Sequence, residues 1–292
     1  MNKRKGIILA GGKGTRLYPS TKVISKQLLP VYDKPMIYYP LSTLMLAGMR
    51  DILIITTPEM SALFNDLIGN GEKWGINVTY ASQSNANGIA QALIIAEDFL
   101  DGHSSSLILG DNIFFGHDLA NIFEQADNIT NGASVFIYHV NDARRYGVAE
   151  FNKQNQVISL EEKPIAPKSN YAVTGLYFYD KNAPEYAKTL QPSLRNEIEI
   201  TDLNKIYLAQ DKLFCSKLSR GVAWLDAGTH EDLNKASQYV ETIESRQGLK
   251  IGCPEEIAFR NRWITDDDLE KIIAHGGRNT YSEYLSTLIS ES

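Results

Sequence analysis

Along the first half of the chain, short apolar runs alternate with longer stretches whose apolar residues recur every three or four positions, and few folds accommodate this. Residues 6–10, 51–56, 76–81 and 107–110 form runs of strand length, whereas residues 36–47, 59–67 and 89–100 carry helical spacing. Such runs predict parallel strands joined by crossover helices, since parallel neighbours cannot be linked by a tight turn. The expectation is an open α/β sheet, on which ligands bind beyond the carboxyl ends of the strands. The loops opening at Gly11 and Asp111 are therefore where chemistry is expected.

From residue 133 the texture changes. Residues 133–140, 148–151, 157–161 and 172–179 read as strands and hairpins, so a β extension over about residues 133–226 adds a second wall. Residues 201–208 and 231–244 read as helices and residues 213–218 and 222–225 as extended. Beyond Gly248, Pro254-Glu255-Glu256 starts a helix and two more helical patterns follow. The expected division is an α/β unit over residues 1–247 and an appended helical piece over residues 248–292 without its own core.

With 292 residues, 43% of them hydrophobic, the chain has ample material for a buried core. A formal charge of −6 without a Lys/Arg-rich run argues against nonspecific nucleic-acid binding, where phosphate contacts dominate. Cys215 and Cys253 stand far apart without His or Cys neighbours, which supports neither a disulfide framework nor a zinc site. The basic start, Met1 to Lys5, is followed by too short an apolar run for a signal peptide, and no run reaches the roughly 18 residues of a membrane span. A cytoplasmic protein with no membrane partner is expected.

The apolar run ending at Ala10 leads straight into Gly11-Gly12-Lys13-Gly14-Thr15-Arg16-Leu17. Glycines here let backbone N–H groups approach phosphate oxygens closely. A Walker loop would need Ser or Thr after Lys13, where Gly14 stands, and a dinucleotide fingerprint would need glycine where Leu17 stands. About ten residues after Arg16 comes Ser25-Lys26-Gln27-Leu28-Leu29-Pro30-Val31, so two cations flank one glycine loop.

These paired motifs, Leu9 to Leu17 and Lys26 to Pro30, resemble the sugar-nucleotide pyrophosphorylase family. The resemblance extends to Leu109-Gly110-Asp111-Asn112, Glu161-Glu162-Lys163-Pro164, Val173 to Tyr177 and Trp224 to Thr229, and so covers essentially the whole chain. Lys34 to Pro40 and the short tail with Pro254 to Arg260 look like the glucose-1-phosphate thymidylyltransferase branch; the longer β-rich tail of adenylyl members is absent. The resemblance implies a Rossmann-like open mixed sheet of the nucleotide-diphospho-sugar transferase type. It also implies dTTP and glucose 1-phosphate as substrates, Mg2+ as cofactor, a homo-oligomer, taken as a tetramer, and feedback by a deoxysugar nucleotide at a subunit interface. For that feedback site it points to Glu256 and Arg260, although Ala120 offers it no polar side chain.

The chemistry expected is charge compensation. A sugar 1-phosphate is largely dianionic at neutral pH, its second pKa lying near about 6, and attacks without a general base. Its attack on an α-phosphorus brings two anions together, so cations and a metal are the required parts. Arg16 and Lys26 are expected on the triphosphate and Lys163 on the sugar phosphate, with backbone donors at Gly11, Gly14 and Thr15. Asp111 and Asp226 would hold Mg2+. For the nucleoside, Gln83 matches the imide edge of thymine or uracil, and Leu9, Gln27 and Gly88 are expected to bind the nucleotide with it. For the sugar, the resemblance implies Asn112, Gly147, Glu162 and Val173; Tyr146, Tyr177 and Trp224 are expected to line the pocket. The histidines His103, His117, His139, His230 and His275 occur singly, and none is assigned to catalysis.

Overall fold

The computed structural model describes residues 4–154 and 156–291. The chain runs β1 (Lys5–Leu9), β2 (Pro30–Val31), β3 (Lys34–Pro35), α1 (Tyr38–Leu46), β4 (Asp51–Thr56), α2 (Ser61–Ile68), β5 (Asn77–Ser82), α3 (Gln91–Ile95), α4 (Glu97–Leu100), β6 (Ser105–Leu109), β7 (Asn112–Gly116), α5 (Leu119–Asp127) and β8 (Ala133–His139). It continues through β9 (Gly147–Phe151), β10 (Val157–Glu162), β11 (Tyr171–Tyr179), α6 (Ala183–Thr189), α7 (Ile200–Ala209), β12 (Leu213–Lys217), β13 (Val222–Asp226) and α8 (His230–Gln247). A tail of α9 (Pro254–Arg260), α10 (Asp266–Gly276) and α11 (Thr280–Ser290) follows.

The main sheet runs β10-β9-β11-β6-β1-β4-β5, with β8 also on β11 and β12 beyond it. β1 lies parallel between β4 and β6, and β5 is parallel to β4. Helices cover both faces of such a strand, which explains why β1 and β4 are apolar without alternation. β11 enters antiparallel against β6, β8 and β9, so the sheet is mixed, as expected. One core cluster gathers Ile8, Ile54 and Ile108 with Phe123 and Phe136, and the opposite face gathers Ile7, Leu53, Leu107 and Tyr179. Leu269, Leu285 and Leu288 of the tail belong to the first cluster, so the tail shares the core of the α/β unit.

Four features depart from the sequence expectation. The helix expected over residues 89–100 is divided at Ala96 into α3 and α4. The helix expected from residue 59 begins with a 3-10 turn, Pro58–Met60, because proline suits a first helical turn. The β2–β3 hairpin, α5 and α6 form in segments without an expected element. Most consequential is β7, which starts three residues after β6 ends and turns away from the main sheet to pair antiparallel with β13.

Candidate active site

The β7–β13 ribbon builds the floor of a cavity of about 560 Å3 at the carboxyl ends of β1 and β6. Its register sets Asp226 opposite Asn112, which brings Asp226 beside Asp111 at the β6–β7 turn. The amide of Asn112 organises this floor. Its Nδ2 donates to Asp111 Oδ1 at 3.0 Å, and its Oδ1 accepts from Gly175 N at 3.0 Å and Trp224 Nε1 at 2.6 Å. Asn112, expected against the sugar, does line the cavity, but most of its amide holds the protein's own groups. The pairing of β11 with β8 shifts between Val173 and Tyr177, and Gly175 lies within that irregularity.

Two buried carboxylates thus share one place. Burial opposes charge on Asp111, but Lys26, which donates to Asp111 Oδ2, and the Asn112 amide outweigh it and hold the carboxyl below the ordinary range. Burial and then Asp111 push Asp226 up to about 6, against the pull of Lys26, Arg16 and Arg145. A pair in which one member resists ionisation is a cradle suited to a divalent cation with oxygen ligands. Among the described residues no third His, Cys, Asp or Glu joins it, which fits an ion completed by phosphate oxygens.

The glycine loop forms the nucleotide side. Gly14 adopts the left-handed conformation at φ 60° and leads into a 3-10 turn, Thr15–Leu17, whose buried Leu17 leaves Arg16 exposed. A Cβ on Gly228 would stand 3.0 Å from Arg16 Nη2 and 3.0 Å from Asp226 Oδ1, so that glycine leaves room for the two to converge. Leu9, Arg16, Lys26, Gln27, Gln83 and Gly88 line the cavity; among the glycine-loop residues Gly12 does so, whereas Gly11, Gly14 and Thr15 do not. Gln83 is buried, with one amide hydrogen on Gln91 Oε1 at 2.7 Å, so its other hydrogen and its carbonyl are what it can offer a base. Gly88 has φ 106° and a Cβ there would stand 2.3 Å from the Ile198 carbonyl, so only glycine allows this approach.

On the other side, Tyr146, Gly147, Glu162, Lys163, Val173, Tyr177 and Trp224 line the same cavity. Glu162 is oriented by Thr201, whose hydroxyl donates to Oε2, and by Arg195 Nη2 at 3.2 Å from Oε1. A Cβ on Gly147 would stand 3.0 Å from Thr201 Oγ1, so the space it leaves also serves this pair. Lys163 Nζ lies 3.6 Å from Glu162 Oε1 with its side chain 46% exposed. Its backbone holds φ 44°, rare for a residue with a side chain, while its N–H donates to the Tyr146 carbonyl at 2.9 Å. Trp224 packs against Tyr146 with centroids 5.1 Å apart.

Glu256 and Arg260 lie elsewhere, on α9, paired with each other at 2.7 Å, and Glu256 accepts from the Tyr284 hydroxyl at 2.6 Å. A second cavity, of about 650 Å3, lies between the β2–β3 hairpin and the tail, lined by Lys34, Tyr38, Glu255 and Tyr281 among others, but by neither Glu256 nor Arg260.

Residues 5–243, more than half of the chain, match the family described as nucleotidyl transferase. The chain belongs to the nucleotidyl transferase family. A glucose-1-phosphate thymidylyltransferase of Xanthomonas campestris pv. campestris (strain B100) is 58% identical over 99% of this chain and 98% of its own length. A solved Bacillus anthracis protein, provisionally named a glucose-1-phosphate thymidylyltransferase and in complex with a sucrose, superposes with a TM-score of 0.76. It is 45% identical, over 81% of this chain and 95% of its own. A UDP-glucose pyrophosphorylase complexed with UDP-glucose superposes with a TM-score of 0.72 at 25% identity, over 82% and 99%.

Membership in the nucleotidyl transferase family accords with what the cavity can do. Arg16, Lys26, Arg145 and Lys163 balance Asp111, Glu162, Glu197 and Asp226 in formal charge, so a bound triphosphate and sugar phosphate would leave a large negative excess. The site offers few nucleophiles: Cys215 and Cys253 lie outside the lining, and the Thr201 hydroxyl is held by Glu162. Sequence reasoning missed Arg145, Arg195 and Thr201. Nothing local marks them, since their partners Asp232, Glu162 and Glu162 lie 87, 33 and 39 positions away and meet them only once the chain is folded.

Proposed function

We propose that the chain transfers a thymidylyl group from dTTP to α-D-glucose 1-phosphate, giving dTDP-glucose and pyrophosphate. The observation that carries this reading is one cavity joining a glycine loop with two cations, a buried aspartate pair, and a sugar-sized pocket of Glu162, Tyr146 and Trp224. The full-length similarity to glucose-1-phosphate thymidylyltransferases supports the choice of nucleotide and sugar.

A phosphate oxygen of the sugar phosphate, already deprotonated, attacks the α-phosphorus, and the bond to the bridging oxygen of pyrophosphate breaks. No proton must move. Arg16 takes charge on the leaving pyrophosphate through its planar guanidinium, and Lys26 supplies a compact charge near the α-phosphate. Lys163 holds the incoming phosphate, and Glu162 accepts sugar hydroxyl donors with its geometry preset by Thr201 and Arg195. Asp111 and Asp226 would hold a Mg2+ ion, which supplies charge and a template for the triphosphate. Gln83 reads the imide edge, while Leu9, Gln27 and Gly88 complete the nucleoside side.

Assembly as a homotetramer, a feedback deoxysugar nucleotide near Glu256 and Arg260, and a cytoplasmic location belong to the same reading. Among the described residues no helix is long and apolar enough to cross a membrane. Light scattering checks the assembly: a mass equal to one chain contradicts it.

Purified protein with Mg2+, dTTP and glucose 1-phosphate should release pyrophosphate and form dTDP-glucose in equal amounts. The similarity to a UDP-glucose pyrophosphorylase makes UTP the informative rival, since one methyl group is worth only about 1–3 kcal/mol in a pocket. A strong preference for UTP overturns the choice of base, and no release from any nucleotide overturns the transfer itself.

A further inference from the structure

Among the described residues, Arg145 is the one cation lining the cavity that the proposed reaction does not use, and its surroundings differ from those of the other three. Its Nη2 donates to Asp232 Oδ2 at 2.7 Å and lies 3.9 Å from Asp226 Oδ2, and its guanidinium sits 5.7 Å from the centroid of the Tyr146 ring. Asp232 belongs to the first turn of α8, where Thr229 caps the helix by accepting from Asp232 N at 3.1 Å and donating to Asp232 Oδ2 at 2.7 Å. The acceptor of Arg145 is thus fixed to a helix whose N-cap, Thr229, lies three residues after Asp226.

On the other side, Arg145 immediately precedes Tyr146 and Gly147, both lining the sugar side of the cavity. The carbonyl of Tyr146 accepts the backbone N–H of Lys163 at 2.9 Å, and that lysine holds φ 44°. A residue with a side chain keeps such a backbone only where its surroundings over-determine it. If the Tyr146 carbonyl shifts, the reason for Lys163 to stay in that conformation weakens, and its ammonium moves with it. One chain of contacts therefore runs from the Asp226 segment, through Asp232 and Arg145, to Tyr146 and Lys163.

We infer that Arg145 is a positioning residue that latches the sugar-phosphate half of the site to the Asp226 half, acting through Asp232 on Tyr146 and Lys163. It aligns the incoming phosphate without contacting it. The inference rests on the reaction proposed above, in which Lys163 holds that phosphate.

The test is steady-state kinetics of pyrophosphate release, varying each substrate separately, for the wild type and for Arg145→Ala, Arg145→Lys, Asp232→Asn and the double variant Arg145→Ala/Asp232→Asn. Thermal unfolding of each variant accompanies the kinetics. Wild type without turnover refutes the proposed reaction, whereas a turning-over wild type leaves the variants to judge the latch. Misplacing a positioning group costs up to about a hundredfold, so Arg145→Ala should raise the KM for glucose 1-phosphate about tenfold or more. The KM for dTTP should stay within about twofold. Asp232→Asn should reproduce that split, the double variant should be no worse than Arg145→Ala, and Arg145→Lys should recover part of the loss, because an ammonium still reaches a carboxylate. The latch is overturned if Arg145→Ala leaves the sugar-phosphate KM unchanged, or if both KM values rise together. It is also overturned if Arg145→Ala raises it while the folded Asp232→Asn does not, which would make Arg145 a direct phosphate ligand.

Discussion

Asp111 and Asp226 sit on the floor of the cavity among fixed partners, whereas Arg16 and Lys163 stand at its rim, open to solvent. The Asp111 side chain is 8% exposed and held by Lys26 and Asn112; the Lys163 side chain is 46% exposed, with Glu162 3.6 Å away. The floor is set by a register between two strands, the rim by loops. The contrast follows from the work each must do. Carboxylates that bind a hard cation have to be close and desolvated before the ion arrives, and their mutual repulsion is a standing cost. Cations that meet mobile phosphates gain from being reachable, and full desolvation would oppose their charge before any phosphate arrived.

The sharpest break of this comparison is to remove charge from the floor. Asp111→Asn or Asp226→Asn should lower kcat/KM by about a thousandfold in pyrophosphate release at saturating Mg2+, the scale expected when a centre of charge stabilisation is lost. A loss below tenfold would show that the floor is not the cradle proposed. At the rim the losses should be smaller and separable. Arg16→Ala should cut kcat by about a hundredfold, whereas Lys163→Ala should act mostly through the KM for glucose 1-phosphate, also by about a hundredfold. Equal, mild effects on the same constant would erase the division of labour.

The floor should also show its cost in stability. The Asp226 carboxyl keeps its proton up to about pH 6 in the fold, against an ordinary value of 3.8. Its folded pKa is raised, so its contribution to stability is present at low pH and is lost as pH rises through about 6. Metal-free Asp226→Asn should therefore be more stable than wild type at pH 8 by about 2 kcal/mol, with the gain vanishing near pH 4. Denaturant unfolding at the two pH values measures this, and a destabilised variant at pH 8 would contradict it. The smallest effect belongs to the floor's supports. Trp224→Phe removes the donor to Asn112 Oδ1 while Gly175 N still satisfies that oxygen, so stability should fall by only about 1 kcal/mol. A loss of 4 kcal/mol in the same unfolding experiment would mean that the indole itself holds the ribbon together.

The same contrast explains what the sequence made legible. β1, β4 and β6 announced themselves because parallel central strands are apolar on both faces. α5 shows apolar spacing at Leu119, Ile122, Phe123 and Ala126, so its signal lies in the sequence although no helix was expected there. β7 is different: its partner β13 lies more than a hundred residues on, and its first residue is a polar Asn that reads as part of a turn. Asp111 and Asp226 could be proposed from local motifs, yet their proximity depends on that pairing. Arg145 was invisible for the same reason, as its partner Asp232 is 87 positions away. Lys163 could be chosen by type and neighbourhood, but nothing in Glu-Lys-Pro reveals a backbone at φ 44°.

Across floor and rim, the chain's own groups are proposed to serve binding and charge compensation, with the attack made by the sugar phosphate. Exchange of labelled pyrophosphate into dTTP in the presence of Mg2+ tests this most directly. If the sugar phosphate attacks directly, no label should enter dTTP in enzyme freed of sugar phosphate and sugar nucleotide, and exchange should begin once dTDP-glucose is added. Exchange with dTTP and pyrophosphate alone would mean that a protein side chain carries the thymidylyl group, and would contradict the account.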